Sequence, residues 1–221
     1  MNKKLIILGI GKTAELAHYY FTNDSLFEVV AFTVDSKYVD IDTFCGLPVY
    51  EFENIETRFL VEDVYIFVAI ANSQMNKIRE NKIKEVRKKG YRLASYISTM
   101  ATLFENVKLG EHCFILEDNT IQPFVEIGEN NILWSGNHIG HHSKIGHNNF
   151  ITSHVVVSGN TVIGNNCFIG VNSSLRDGIE IADESLIGAG SFISRNTEEK
   201  GVYKAKFAEK SNLNSDQIKG M

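Results

Sequence analysis

From Leu109 to Ile193 every sixth residue is aliphatic: Leu109, Ile115, Ile121, Ile127, Leu133, Ile139, Ile145, Ile151, Val157, Ile163, Ile169, Leu175, Ile181, Ile187 and Ile193. A period of six held over fifteen positions fits neither an α-helix, which repeats every 3.6 residues, nor an ordinary strand, which repeats every two. If each six-residue edge turns one aliphatic side chain inward, three edges close a triangle of 18 residues, and stacked triangles bury one continuous column. The fourteen full hexads predict about five coils of a parallel β-helix. Glycine often follows the aliphatic residue (Gly110, Gly128, Gly140, Gly146, Gly164, Gly170, Gly188), as expected where the backbone turns a tight corner. Four residues after the aliphatic one the side chain is usually small or polar, as at Cys113, Ser143, Thr161, Cys167, Ser173, Ser185 and Ser191, because a corner has little room.

Residues 1–96 follow another rule. Apolar runs at 3–9, 28–35 and 63–70 alternate with helical stretches at Lys12 to Phe21 and about Ser73 to Lys89, and YRLASYI closes the series. This is a βαβ arrangement of an open parallel sheet. The predicted organisation is therefore α/β followed by β, with one domain over 1–96 and the coil with its tail over 97–221.

The 43% apolar content is enough for a genuine core. A net charge of −5, without long runs of one sign, excludes an electrostatic footprint for nucleic acid or an anionic membrane. The N-terminal apolar run stops at glycines well short of a membrane span, so the expectation is a cytoplasmic protein with no membrane insertion. Three cysteines without CxxC spacing indicate neither a disulfide framework nor a zinc site.

With its hexads, its Gly9-Ile10-Gly11 turn and its strand ending FTVDS, the chain resembles the left-handed β-helix hexapeptide-repeat acyltransferases. Within them it resembles the bacterial sugar acyltransferases that join a small Rossmann-like domain to such a helix. That group includes the amino-sugar N-acetyltransferase of bacillosamine synthesis and the sialic-acid O-acetyltransferases. The resemblance implies a homotrimer with acetyl-CoA in the groove between neighbouring prisms. It also implies left-handed winding, an exception to the usual crossover rule.

Five histidines, His138, His141, His142, His147 and His154, fall within seventeen residues. Acyl transfer from a thioester to an amine or hydroxyl needs a base for the nucleophile's proton, and imidazole suits that near neutral pH. The resembling family places its base in an acid-His-acid-x-x-Ile-Gly pattern, which here aligns with Gly140-His141-His142-Ser143-Lys144-Ile145-Gly146 and puts the base on His141. Gly140 and His142 stand where the family has carboxylates, so the orienting partner is either His142 or a carboxylate from a neighbouring coil or subunit. Asp118 and His154 share a column two coils apart, too far to touch at about 4.8 Å per strand layer. His138 and His147 are expected at a solvated corner or an interface, and no metal is expected, although histidines are what a zinc site would use.

His154 shares its column with Gly136, Asn172 and Gly190 and is a candidate for the CoA groove. Gly170, Asn172, Gly188 and Gly190 offer small residues where a ligand can approach the backbone. Past the coil, GVYKAKFAEK stands where the resembling family has a Gly-Val-Pro-Ala-Lys tail, which makes Lys204 and Lys206 candidates for CoA phosphates. The turn Gly9-Ile10-Gly11-Lys12-Thr13-Ala14 fits the dinucleotide fingerprint, with Asp35 ending the second strand. About 96 residues cannot hold the two halves of a dinucleotide fold, so a single nucleoside diphosphate is expected: its pyrophosphate at the helix start near Gly9, Gly11 and Lys12, its base or ribose at Asp35. The expected function is acetyl transfer to the amine of a nucleotide-linked sugar. A sugar or sialic-acid O-acetyltransferase and a trimeric scaffold are the alternatives.

Overall fold

The computed structural model describes residues 3–206, 208–214 and 217; Met1, Asn2 and, within the GVYKAKFAEK stretch, Phe207 lie outside them. The first layer contains β1 (Lys3–Leu8), α1 (Lys12–Asn23), β2 (Phe27–Val34), β3 (Thr43–Phe44), β4 (Leu47–Glu51), β5 (Val64–Val68), α2 (Lys77–Lys88) and β6 (Arg92–Leu93). They form a six-stranded sheet of order β3-β4-β2-β1-β5-β6, parallel except for the β3–β4 pair. The central β1 reads Leu-Ile-Ile-Leu because both its faces are covered: Leu5 and Ile7 pack toward α1, Ile6 and Leu8 toward α2.

From Tyr96–Ile97 onward the chain makes two-residue strands stacked in register 18 residues apart, as in Phe114↔Ile132 and Ile115↔Leu133. They fall into three parallel sheets, which fits a left-handed hexapeptide β-helix. The coil starts two hexads before Leu109, at Ile97 and Leu103, whose strands pair with those of Ile115 and Ile121. At the far end the step shortens, and Val202–Tyr203 pairs with Leu186–Ile187. The predicted aliphatic column is buried from Ile115 to Ile193 and partly buried at Leu109, and Cys113, Val125, Val155, Cys167 and Ile179, four residues after an aliphatic position, fill the same core.

The glycines after the aliphatic residues do not turn the corners. The left-handed residue sits two positions later, and it does so at fourteen successive corners from His112 to Gly190, with φ between 56° and 77°. Twelve of the fourteen are Asn, Asp, His or Gly, the types that tolerate this region best. Glycine at the earlier position answers a different need, close contact between coils: a Cβ on Gly128 would come within 2.6 Å of the Gly146 carbonyl oxygen, and one on Gly140 within 2.5 Å of the Gly159 nitrogen.

One of the three sheets is apolar on its outside as well. Tyr96, Phe114, Ile132 and Phe150 face outward at 18-residue steps and pack with Phe21, Phe67 and Ala17 of the first layer. At the edge of this junction Arg79 of α2 is buried and donates to Asn130 Oδ1 (2.7 Å) and to the carbonyls of Asn130, Asn149 and Ala71. Burial lowers its pKa to about 9. His112 Nε2 accepts the Val68 N–H at 2.8 Å, so its Nδ1 carries the proton and donates to Asn130 Oδ1 at 3.1 Å. The prism and the first layer are therefore joined by apolar burial and by a shared polar network.

Candidate active site

The corners sort the histidines. His142 and His154 occupy left-handed corners, where the backbone itself favours His, Asn or Gly. His147 belongs to a ladder along one edge, its Nδ1 accepting the Glu129 N–H while Asn165 Oδ1 accepts the His147 N–H and Asp183 Oδ1 accepts the Asn165 N–H. His138 lies in a strand, paired with Thr120 and Val156. Neither corner nor ladder accounts for His141. It is exposed, outside the left-handed position, with its imidazole over Gly159, where an added Cβ would stand 2.7 Å from His141 Cε1.

One side chain, His142, touches that ring, while Gln122 holds the His141 backbone and Phe124 backs His142. Gln122 Oε1 accepts the His141 backbone N–H at 2.9 Å. His142 Nδ1 lies 3.2 Å from His141 Nδ1, with the two rings edge to face. His142 in turn stacks on Phe124, ring centroids 4.6 Å apart. Two imidazole Nδ1 atoms at hydrogen-bond distance need one proton between them, so a His141 that donates to His142 keeps Nε2 bare as an acceptor. Sequence reasoning missed Gln122, Phe124 and Gly159. The 18-residue step was the available signal, since Phe124 precedes His142 by one coil and Gly159 follows His141 by one.

Gly170, Asn172, Gly188, Gly190 and His154 gather at a second corner, between the strands ending in Ile169 or Ile187 and those ending in Leu175 or Ile193. Their columns hold Trp134 and Thr152 beneath Gly170, and Gly136 beneath His154, whose Nδ1 would lie 2.5 Å from a Cβ placed there. His141 and His142 belong to the next corner along the chain. One copy of the chain therefore presents the candidate base and the candidate donor groove on different corners of its triangular section. Lys204 and Lys206 are exposed beyond the last strand.

In the first layer Gly9 has φ +129, and a Cβ there would come within 3.1 Å of the Ala69 carbonyl oxygen, so this position requires glycine. Gly11 caps α1 in an extended conformation with no side-chain cap, which leaves the first turn open. Lys12 is fully exposed and pairs with Glu15 at 3.1 Å. Asp35 is not free: Lys82 of α2 donates to its Oδ1 at 2.7 Å and to Glu85 Oε2 at 2.5 Å. Burial opposes the charge on Lys82, but these two carboxylates outweigh it and hold its pKa above the ordinary value. A cleft of about 410 Å³ opens beside this pair at the carboxyl ends of β1 and β2, lined by Gly9, Val34, Asp35, Ile70 and Lys82. Among the described residues no cluster of three or more His, Cys, Asp or Glu could hold a metal ion, and no helix is long and apolar enough to cross a membrane.

Residues 106–141 and 160–195 match the family described as bacterial transferase hexapeptide (six repeats). No curated protein sequence matches the chain. Its fold is shared by PerB of Caulobacter crescentus, solved in complex with CoA and GDP-perosamine, at 20% identity and a TM-score of 0.81 over 91% of this chain and 94% of that one. It is shared also by the acetyltransferase domain of PglB from Neisseria gonorrhoeae, at 21% identity and a TM-score of 0.78 over 92% and 97% of the two chains. WeeI from Acinetobacter baumannii follows at 19% identity and a TM-score of 0.60 over 90% and 94%.

Proposed function

We propose that this two-layer hexapeptide protein is an acetyl-CoA-dependent N-acetyltransferase acting on the amine of a nucleotide-linked amino sugar, with His141 as general base. The observation that carries the reading is His141 itself: an exposed imidazole whose identity neither corner nor ladder demands, seated on Gly159 and paired through Nδ1 with His142. PerB, which has the same fold along nearly its whole length, binds CoA and GDP-perosamine.

In the reaction, His141 Nε2 takes a proton from the sugar amine as its nitrogen attacks the thioester carbonyl. The C–N bond forms, the carbonyl oxygen becomes an oxyanion, and backbone N–H groups at a corner stabilise it. Collapse breaks the C–S bond, and the departing CoA thiolate recovers the proton from the imidazolium. His142 Nδ1 accepts a hydrogen bond from His141 Nδ1–H throughout, taking the orienting place a carboxylate would otherwise hold.

The first layer, read as a Rossmann-like domain over 1–96, holds the nucleotide, with the open first turn of α1 at Gly11 and Lys12 toward the pyrophosphate and Asp35, through the Oδ2 that Lys82 does not take, toward the base or ribose. The coil domain over 97–221 binds the donor along Gly170, Asn172, Gly188, Gly190 and His154. Because that groove and His141 lie on different corners, a homotrimer completes the site: around a three-fold axis the contacts are heterologous, so one corner of each copy meets a different corner of the next. The reaction belongs in the cytoplasm, where acetyl-CoA and nucleotide sugars meet.

The test is acetyl-CoA consumption with UDP-, dTDP- and GDP-linked 4-amino sugars. Turnover with one of them, reduced about 10²- to 10⁴-fold in His141→Ala, is the expected result. No turnover with any sugar, or a fully active His141→Ala, overturns the reading.

A further inference from the structure

Between α1 and the prism lies a cavity of about 460 Å³, lined by Lys12, Thr13, Glu15, Leu16, Tyr19 and Trp134. Its two walls differ in chemistry. One is the first turn of α1, whose N–H groups no side chain caps and which favours an anion, with the Lys12 ammonium there paired to Glu15 of the same wall. The other is the indole of Trp134, packed from behind by Phe150 with ring centroids 6.3 Å apart. The Trp134 column otherwise holds Ser98, Leu116, Thr152, Gly170 and Gly188, and Trp134, the one aromatic in it, packs against the apolar cluster while staying only partly buried. Its indole N–H is a buried donor with no partner among the described residues, a group that is costly to leave unpaired.

We propose that Trp134 is the acceptor-specificity residue, a platform for the hexose of the nucleotide-linked substrate whose diphosphate sits at the α1 N-terminus. The inference rests on the function proposed above. An aromatic face beside an anion site fits a sugar joined to a diphosphate, because the apolar C–H face of a pyranose, above all a deoxy one, packs on an indole. The position agrees with the chemistry. Trp134 and His141 are seven residues apart, less than half of an 18-residue coil. In a trimer of parallel prisms, residues of one coil stay at one height, so the partner's His141 stands level with Trp134.

Trp134 is the only tryptophan in the chain, so its fluorescence reports on this cavity alone. The full-length protein is titrated with a nucleotide sugar that it turns over and with the matching nucleoside diphosphate, while calorimetry measures binding of each. The expected result is a fluorescence change with the sugar nucleotide that the diphosphate does not reproduce. Trp134→Ala then raises KM for the nucleotide sugar tenfold or more and leaves KM for acetyl-CoA within twofold, and Trp134→Phe recovers most of the loss. Calorimetric binding of the nucleotide sugar without any fluorescence change, or an unaltered KM for it in Trp134→Ala, overturns the inference while leaving the proposed reaction intact. Absence of turnover with every nucleotide sugar removes the reaction itself.

Discussion

His141 Nδ1 and His142 Nδ1 lie 3.2 Å apart on one corner of the coil, and only one of them can hold the proton between them. The pair gives His142 a positioning task through His141. His142→Asn, which keeps an acceptor and tolerates the left-handed backbone, is expected to retain more activity than His142→Ala. His142→Ala in turn loses about tenfold in kcat, with KM for both substrates near the wild-type value. Steady-state kinetics of the two variants decide it, and equal activity in both removes the orienting role.

Gly159 is the seat of the His141 ring, with 2.7 Å between an added Cβ and His141 Cε1. Gly159→Ala should displace the imidazole and lower kcat by about 10- to 100-fold, with stability changed by less than about 1 kcal/mol. Urea unfolding beside kinetics separates this from a general weakening of the coil.

Gly128 and Gly11 should respond oppositely to alanine. A Cβ on Gly128 meets backbone 2.6 Å away in the next coil, so Gly128→Ala costs about 1–3 kcal/mol in unfolding experiments. A Cβ on Gly11 would meet none of the described residues within 4 Å, and its φ is negative. Gly11→Ala is expected to leave stability within about 1 kcal/mol, so any rise in its KM for the nucleotide sugar belongs to the site and not to the fold.

Arg79 and Asn130 join the two layers at 2.7 Å inside a buried network. Arg79→Ala leaves the Asn130 and Asn149 carbonyls without this donor and should destabilise the protein by about 3–5 kcal/mol. A loss below about 1 kcal/mol by chemical denaturation contradicts the assigned role.

His112 is buried, and desolvation first, then the Arg79 charge, lowers its pKa to about 3. Since the folded pKa is depressed below the unfolded value of 6.5, the unfolded state binds more protons between these limits. The contribution is fully present above pH 6.5 and is lost as pH falls toward 3, at up to about 1.4 kcal/mol per pH unit, or about 2 kcal/mol by pH 5. Comparing urea midpoints at pH 7.5 and pH 5 for wild type and His112→Gln measures it; the same slope in both would assign the acid sensitivity elsewhere.

The period of six determined the coil, its parallel strands and its buried column from Ile115 to Ile187, because each aliphatic residue reports a local turn of the chain and the turns must stack. The apolar run of β1 and the glycine turn after it likewise revealed a parallel sheet with a helix crossing over it. The same register could have located Gly159 and Phe124 around His141, and the outward aromatic stripe Phe114, Phe150 and Phe168, had the 18-residue step been followed on the outer face. What only the tertiary structure decided is how the layers meet and where the site residues fall. Lys82 claims Asp35 from 47 positions away, and Arg79 reaches Asn130 across 51. His141 and the glycine-lined groove fall on different corners, and the glycines beside the core serve contact between coils instead of the turns. A repeat encodes neighbours at fixed spacing; pairings between α2 and the prism have no period, and only the packed chain specifies them.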